Sequence, residues 1–151
     1  MERTVAIAVA GPAGASSAEL AIAEEVGAAI AAEGWTVVTG GLGGVMEAAS
    51  RGARSRLGPT IGILPGSDPD EANGWVQLVL PTGLGQARNA LVVAAARGLV
   101  AVGGGYGTLS EVALALRTGK PVVGIGTWDV PGVDVVADAA AAVERLRAVT
   151  S

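Results

Sequence analysis

The chain has 151 residues, half of them hydrophobic and 16% charged, with a mean hydropathy of +0.52. That much apolar surface excludes disorder and suits one domain, residues 1–151, around one sizeable core. A formal net charge of −4 excludes a general nucleic-acid binder, which needs a basic face, and the absence of His and Cys excludes Ser-His-Asp and Cys-His nucleophiles, imidazole or thiolate zinc sites, and disulfides.

In chain order the pattern alternates strand and helix. Thr4–Ala10 (TVAIAVA) is a short β-branched run ending in the turn Gly11-Pro12-Ala13-Gly14. Ser16-x-x-Glu19 has capping-box spacing and predicts a helix to about Ala32, stopped by Gly34. Trp35–Thr39 reads as a second strand, and Gly40-Gly41-Leu42-Gly43-Gly44 leads into a helix over Val45–Arg54. Thr60–Leu64 and Val76–Leu80 are strands on either side of a polar loop that holds Asp68, Asp70 and Glu71. These acids read as solvated rather than metal-binding. A helix is expected over Gly85–Arg97, a strand over Leu99–Val102, and a helix from Thr108 to Arg117. Pro121–Ile125 and Val133–Val136 are further strands, and a last helix covers Asp138–Ala148.

Strands apolar on both faces, alternating with helices, predict an α/β fold: one Rossmann-like domain with a parallel sheet of about six or seven strands and helices on both faces. Glycine takes 24 positions and Phe none, so the core is aliphatic and small, which suits helices laid close on a sheet. The apolar runs are too short for a membrane span of ~20 residues, and Thr4–Ala10, short and running straight into Gly11-Pro12, does not read as a secretory leader. A cytoplasmic location is expected.

Right-handed crossovers place every strand-to-helix turn on one sheet edge, where ligands of such folds sit. The glycines cluster in those turns. Gly40–Met46 (GGLGGVM) and Gly103–Thr108 (GGGYGT) each present unobstructed backbone N–H groups at a helix start, with Gly11–Gly14 as a third turn. Helix dipole and free amides together favour an anion, and phosphate is the natural guest. Familiar phosphate motifs do not fit: no Gly-Lys-Ser/Thr opens a helix, and no acid ends the second strand. Lys120, the only lysine, falls between a helix end and a strand start on the opposite edge, so Schiff-base chemistry such as lysine decarboxylation is not expected.

Three segments carry a resemblance to a known family. Thr39–Ala53 (TGGLGGVMEAASRGA), Gly85–Asn89 (GQARN) and Val102–Glu111 (VGGGYGTLSE) resemble motifs of the Lonely-guy (SLOG) superfamily, often labelled lysine decarboxylases. The similarity is nearest to its short bacterial branch, which includes molybdenum-cofactor carriers. The resemblance implies a Rossmann-like homodimer or higher homo-oligomer that binds a phosphate-bearing nucleotide or pterin, with no cofactor required for chemistry. The bound molecule would be molybdenum cofactor or a nucleoside monophosphate. The alternative implied activity is a phosphoribohydrolase that releases a base from a nucleoside 5′-monophosphate.

The expected ligand set is Gly11, Gly41, Gly43, Gly44, Met46, Arg88, Asn89, Gly103, Gly104, Gly105, Tyr106, Gly107 and Thr108. Arg88 and Glu111 match the arginine and the motif-closing glutamate of the enzyme branch and would be catalytic only in a hydrolase. Gly103 stands where those enzymes have proline and Asn89 where they have lysine, which weakens the hydrolase reading more than ligand binding. Glu111 has a structural rival reading, because Thr108-Leu109-Ser110-Glu111 is also a capping-box spacing. Met46 reads as pocket wall or core.

Overall fold

The chain's parallel strands form one seven-stranded sheet, and its order is set by where each crossover helix packs. In the computed structural model, which describes residues 1–150, β1 (Ala6–Ala10) and β2 (Thr36–Thr39) are joined by α1 (Ser17–Ala32). β3 (Thr60–Leu64) follows α2 (Val45–Ser55), and β4 (Leu78–Pro81) is the edge strand beside it. α3 (Arg88–Ala95) crosses back to β5 (Gly98–Val102), and α4 (Tyr106–Arg117) leads to β6 (Val122–Ile125). β7 (Asp134–Val135) and α5 (Ala139–Thr150) end the described chain.

The sheet order β4-β3-β2-β1-β5-β6-β7 places the direction change between β1 and β5. Neighbouring crossovers diverge there and leave a crevice at the strands' carboxyl ends. The turns that follow β1 and β5 therefore flank one cleft.

Alternation along the strands divides the core into two layers. Ile7, Val9, Val100 and Val102 face α1, α2 and α5, while Ala8, Ala10, Leu99 and Ala101 face α3 and α4. TVAIAVA thus contains a fully paired central strand. In α5, Val143 and Leu146 belong to its sheet-facing stripe, and Val149 stays exposed. No described helix is long and apolar enough to cross a membrane.

Helix α1 starts as the Ser16–Glu19 spacing predicts: Glu19 N–H donates to Ser16 Oγ at 3.1 Å and Ser16 N–H donates to Glu19 Oε1 at 2.9 Å. The helix expected from Gly85 is different. Gly83 and Gly85 have φ of +67° and +60°, so the chain makes a single 3₁₀ turn over Gly85–Ala87 and becomes α-helical only at Arg88. The fourth strand also begins later than expected, at Leu78, because Gln77 and Trp75 bond to Thr60 outside the strand ladder.

Lys120 has a structural place. Its Nζ donates to the carbonyls of Val93, Ala94 and Ala96 at 2.6–3.0 Å, closing the C-terminal end of α3 on the edge opposite the glycine turns.

Backbones approach closely where α1 crosses α2. A Cβ on Gly27 would stand 1.9 Å from the Ala49 carbonyl oxygen, and one on Gly52 would stand 1.9 Å from that of Glu24. Each helix thus presents a glycine to the other's backbone, where no side chain can rotate aside. Gly52→Ala is expected to destabilise the fold by at least about 1–3 kcal/mol, the usual cost of overpacking, in urea unfolding. Gly14→Ala, which would meet nothing within 4 Å, serves as the near-neutral control.

Candidate functional site

A cavity of about 290 Å³ opens in the crevice between β1 and β5. Gly11, Pro12 and Ala13 form one wall, and Met46 reaches in from α2. Gln86, Arg88 and Asn89 contribute from the start of α3; Gly105, Tyr106, Gly107, Thr108 and Glu111 contribute from α4. Residues far apart in sequence converge because all the strand-to-helix turns leave the same sheet edge.

The N-terminus of α4 is the cavity's anion-attracting feature. The helix is capped by Gly105 and begins at Tyr106, two residues ahead of the expected Thr108. Thr108 is thus the third residue inside the helix, and the Thr108–Glu111 capping box does not form. The first-turn amides point out of the helix without intrahelical partners. Thr108 is only 2% exposed, and its hydroxyl has no hydrogen-bond partner among the described residues. A buried hydroxyl normally finds a partner, and this one lines the cavity without one.

The first glycine turn is differently employed. Gly41 N–H donates to Thr39 Oγ1, the Gly41 carbonyl accepts from Asn73 N–H and Nδ2, and Val45 N–H donates to the Pro12 carbonyl. Gly44 has a φ of +66° and lies against the Pro12 and Ala13 carbonyls, where a Cβ would come within 2.4 Å of each oxygen. Of the expected ligand set, Gly41, Gly43, Gly44, Gly103 and Gly104 do not line the cavity. Gly103 N–H donates to the Ile125 carbonyl, and its α-carbon abuts the Glu19 carboxylate.

Arg88 is buried and anchored at three points. Nε donates to the Ile63 carbonyl at 3.0 Å, one terminal nitrogen donates to Asn89 Oδ1, and the other to the Gly40 carbonyl at 3.4 Å. Two of the five guanidinium N–H groups remain for a ligand. Asn89 is also engaged, since its amide nitrogen donates to Ser110 Oγ at 3.0 Å. Glu111 is 9% exposed, and burial pushes its carboxyl up to about 7, opposed in part by the Arg88 charge. Burial in turn lowers the Arg88 guanidinium, while Glu111 raises it.

The chain as a whole is similar to known proteins. The model of the SLOG cluster4 family matches residues 4–149. The chain belongs to that family. Among solved structures, the molybdenum cofactor binding protein of the phototrophic bacterium Rippkaea orientalis is 36% identical, with all of both chains covered and a TM-score of 0.95. The molybdenum cofactor carrier protein of Chlamydomonas reinhardtii is 42% identical over 97% of this chain and 99% of that one, with a TM-score of 0.87. The chain is a homologue of these two proteins over its full length. A protein of Archaeoglobus fulgidus is 45% identical over 104 residues, 69% of this chain and 68% of that protein.

In this SLOG chain, sequence reasoning missed Pro12, Ala13, Gln86 and, at the rim, Trp128. Gln86 lies inside the GQARN segment and Pro12 between two glycines, so their neighbours pointed to them. Trp128 carries no motif. Its only signal is position, three residues past β6 on the edge that bears the turns.

Glu111 makes the fold's stability depend on pH. A carboxyl at about 7 in the folded state, against an ordinary value of 4.5, binds more protons folded than unfolded. Its stabilising contribution is full below about 4.5, and is lost as pH rises through about 7. The loss amounts to about 3 kcal/mol at most. Urea unfolding at pH 5 and pH 8 is expected to show this difference in the native chain, and Glu111→Gln should remove it.

Proposed function

We propose that the chain binds and carries a phosphorylated pterin, molybdenum cofactor, with the phosphate seated against the N-terminus of α4. The observation that carries this reading is the orphaned Thr108 hydroxyl beside unpartnered helix amides in the β1–β5 crevice. The names of its homologues, a molybdenum cofactor binding protein and a carrier, supply the cargo.

The residues present fit a phosphate. Tyr106, Gly107 and Thr108 offer backbone N–H groups, Thr108 a hydroxyl, and Arg88 a fixed positive charge with donors to spare. Glu111 would repel an anion if charged. Its raised pKa lets it take a proton as the phosphate enters, which removes the repulsion. Pro12 and Ala13 form the wall on the β1 side. A carrier needs this kind of site, with donors strong enough to hold the phosphate.

One observation favours a second reading, the phosphoribohydrolase. With no His in the chain, a leaving base would need a carboxylic acid to protonate it, and Glu111, its carboxyl pushed up to about 7, keeps a protonated fraction near neutrality inside the cavity. Free base released from nucleoside monophosphates, and blocked in Glu111→Gln, would select that reading.

The same reading includes self-association. The outer face of α3 exposes Ala90, Leu91, Ala94 and Ala95, and the neighbouring edge adds Leu78, Leu80 and Leu84. Contiguous apolar surface of this kind marks an interface, and we assign it to a second copy of the chain.

Two measurements test these statements. Thr108→Val keeps the shape and deletes the hydroxyl, so cofactor affinity should fall about tenfold or more, the cost of a hydrogen bond to a charged group. Unchanged affinity in the folded variant would count against the phosphate seat. Light scattering at micromolar concentration should give at least twice the 14.7 kDa chain mass, and Leu91→Asp should reduce it to one chain.

A further inference from the structure

We propose that Tyr106, braced by Trp128, is the platform on which the planar heterocycle of the phosphorylated ligand stacks, with the Gln86 amide meeting the ring's polar edge. This rests on the phosphate reading and adds to it a second subsite and the class of ring that it takes.

The first observation is exposure. Tyr106 is 86% exposed, although it is the first residue of α4 and borders the cavity. The chain holds three Trp, one Tyr and no Phe, so two of its four aromatic rings meet at this one rim. The Tyr106 and Trp128 rings are stacked, with centroids 6.1 Å apart and planes at 22°. Trp128 is pinned in turn, because Nε1 donates to the Gly105 carbonyl at 3.0 Å.

That bond also bears on the phosphate seat. The Gly105 carbonyl shares a rigid peptide plane with the Tyr106 N–H, and the two point in opposite directions. It accepts from both Leu109 N–H and Trp128 Nε1, so the Tyr106 amide is held facing away from the helix. One tryptophan therefore fixes both the ring of Tyr106 and its backbone donor.

The second observation is space. Tyr106 lines the 290 Å³ cavity and also an adjoining hollow of about 640 Å³, with Gln86, Asn89 and Gly107 shared between the two. Small-molecule sites usually occupy about 300–1,000 Å³, so the cavity at the helix start suits the phosphate end and leaves a ring to extend past Tyr106. Ser110 and Ala87 complete the hollow. Its polar side chains are the amides of Gln86 and Asn89 and the hydroxyls of Tyr106 and Ser110, with no charged group, which suits a neutral nitrogen heterocycle such as a pterin or purine. A planar ring placed there gains an aromatic face, and Gln86 can donate and accept at its edge.

Calorimetric titration of the full chain with ribose 5-phosphate, which lacks a ring, and with guanosine 5′-monophosphate, whose ring shares its amino-oxo-pyrimidine edge with pterins, separates the two subsites. The native chain should bind the nucleotide more tightly. Tyr106→Ala should weaken nucleotide binding about tenfold, change ribose 5-phosphate less than twofold, and Tyr106→Phe should restore the nucleotide affinity. Quenching of Trp128 fluorescence by the nucleotide but not by ribose 5-phosphate, lost in Trp128→Phe, is the independent readout. Equal affinities in the native chain, or equal losses for both ligands in Tyr106→Ala, overturn the platform while leaving the phosphate seat in place. If neither ligand binds the native chain, the phosphate reading fails and the platform with it.

Discussion

The whole arrangement depends on backbone meeting backbone without side chains between. α1 and α2 touch through Gly27 and Gly52, and the first two strand-to-helix turns touch through Gly44 against Pro12 and Ala13. Gly11 lies so close to the Val102 carbonyl that a Cβ would come within 2.5 Å of it. Each contact shortens the distance between elements below what a side chain permits, and dispersion between closely packed backbones replaces the burial that larger residues would provide. The small aliphatic composition is the cause of this geometry, and the absence of Phe follows from it.

Close packing also creates the electrostatics of the site. With β1 and β5 adjacent and their turns pressed together, Arg88 and Glu111 lie in a crevice that excludes most water. Arg88 stays there because three carbonyl or amide oxygens accept from its guanidinium, and two of them, from Ile63 and Gly40, belong to the neighbouring β3 and the turn after β2. Glu111 has no comparable set of donors, so burial moves its carboxyl upward. One buried group is held charged and the other is poised to become neutral.

Much of the fold could be read from local pattern, because apolar runs bounded by glycine give strands at nearly every position where they occur. The α1 cap was legible since both halves of its box are side chains with fixed spacing. The same spacing at Thr108–Glu111 misleads because Gly105 can cap a helix without a side chain, and α4 then starts early. Gly85 misleads in another way: its positive φ delays α3, and sequence alone does not reveal which glycines adopt one. The cavity lining was legible in part: Met46, Arg88, Asn89 and Gly105–Thr108 line it as their motifs suggest, but Pro12, Ala13 and Gln86 escaped notice and the glycines of the turn after β2 lie off it. Trp128 was not legible, since its role comes from tertiary contact with Tyr106 and Gly105.

Glycine-rich turns look alike in sequence and differ in what they do. In the turn after β2, Gly41 and Val45 spend their amides on Thr39 and Pro12, and Asn73 claims the carbonyls of Gly41 and Leu42. Those bonds brace the turn and make it a buttress for the turn after β1. In the turn after β5, Gly103 is tied to β6 through Ile125, but the first-turn amides of α4 and the Thr108 hydroxyl keep no internal partner. The glycine count is similar, so composition cannot separate the two. Hydrogen-bond partners do: the turn after β2 is braced through Thr39, Pro12 and Asn73, while the turn after β5 leads to a buried Thr108 hydroxyl with no partner among the described residues.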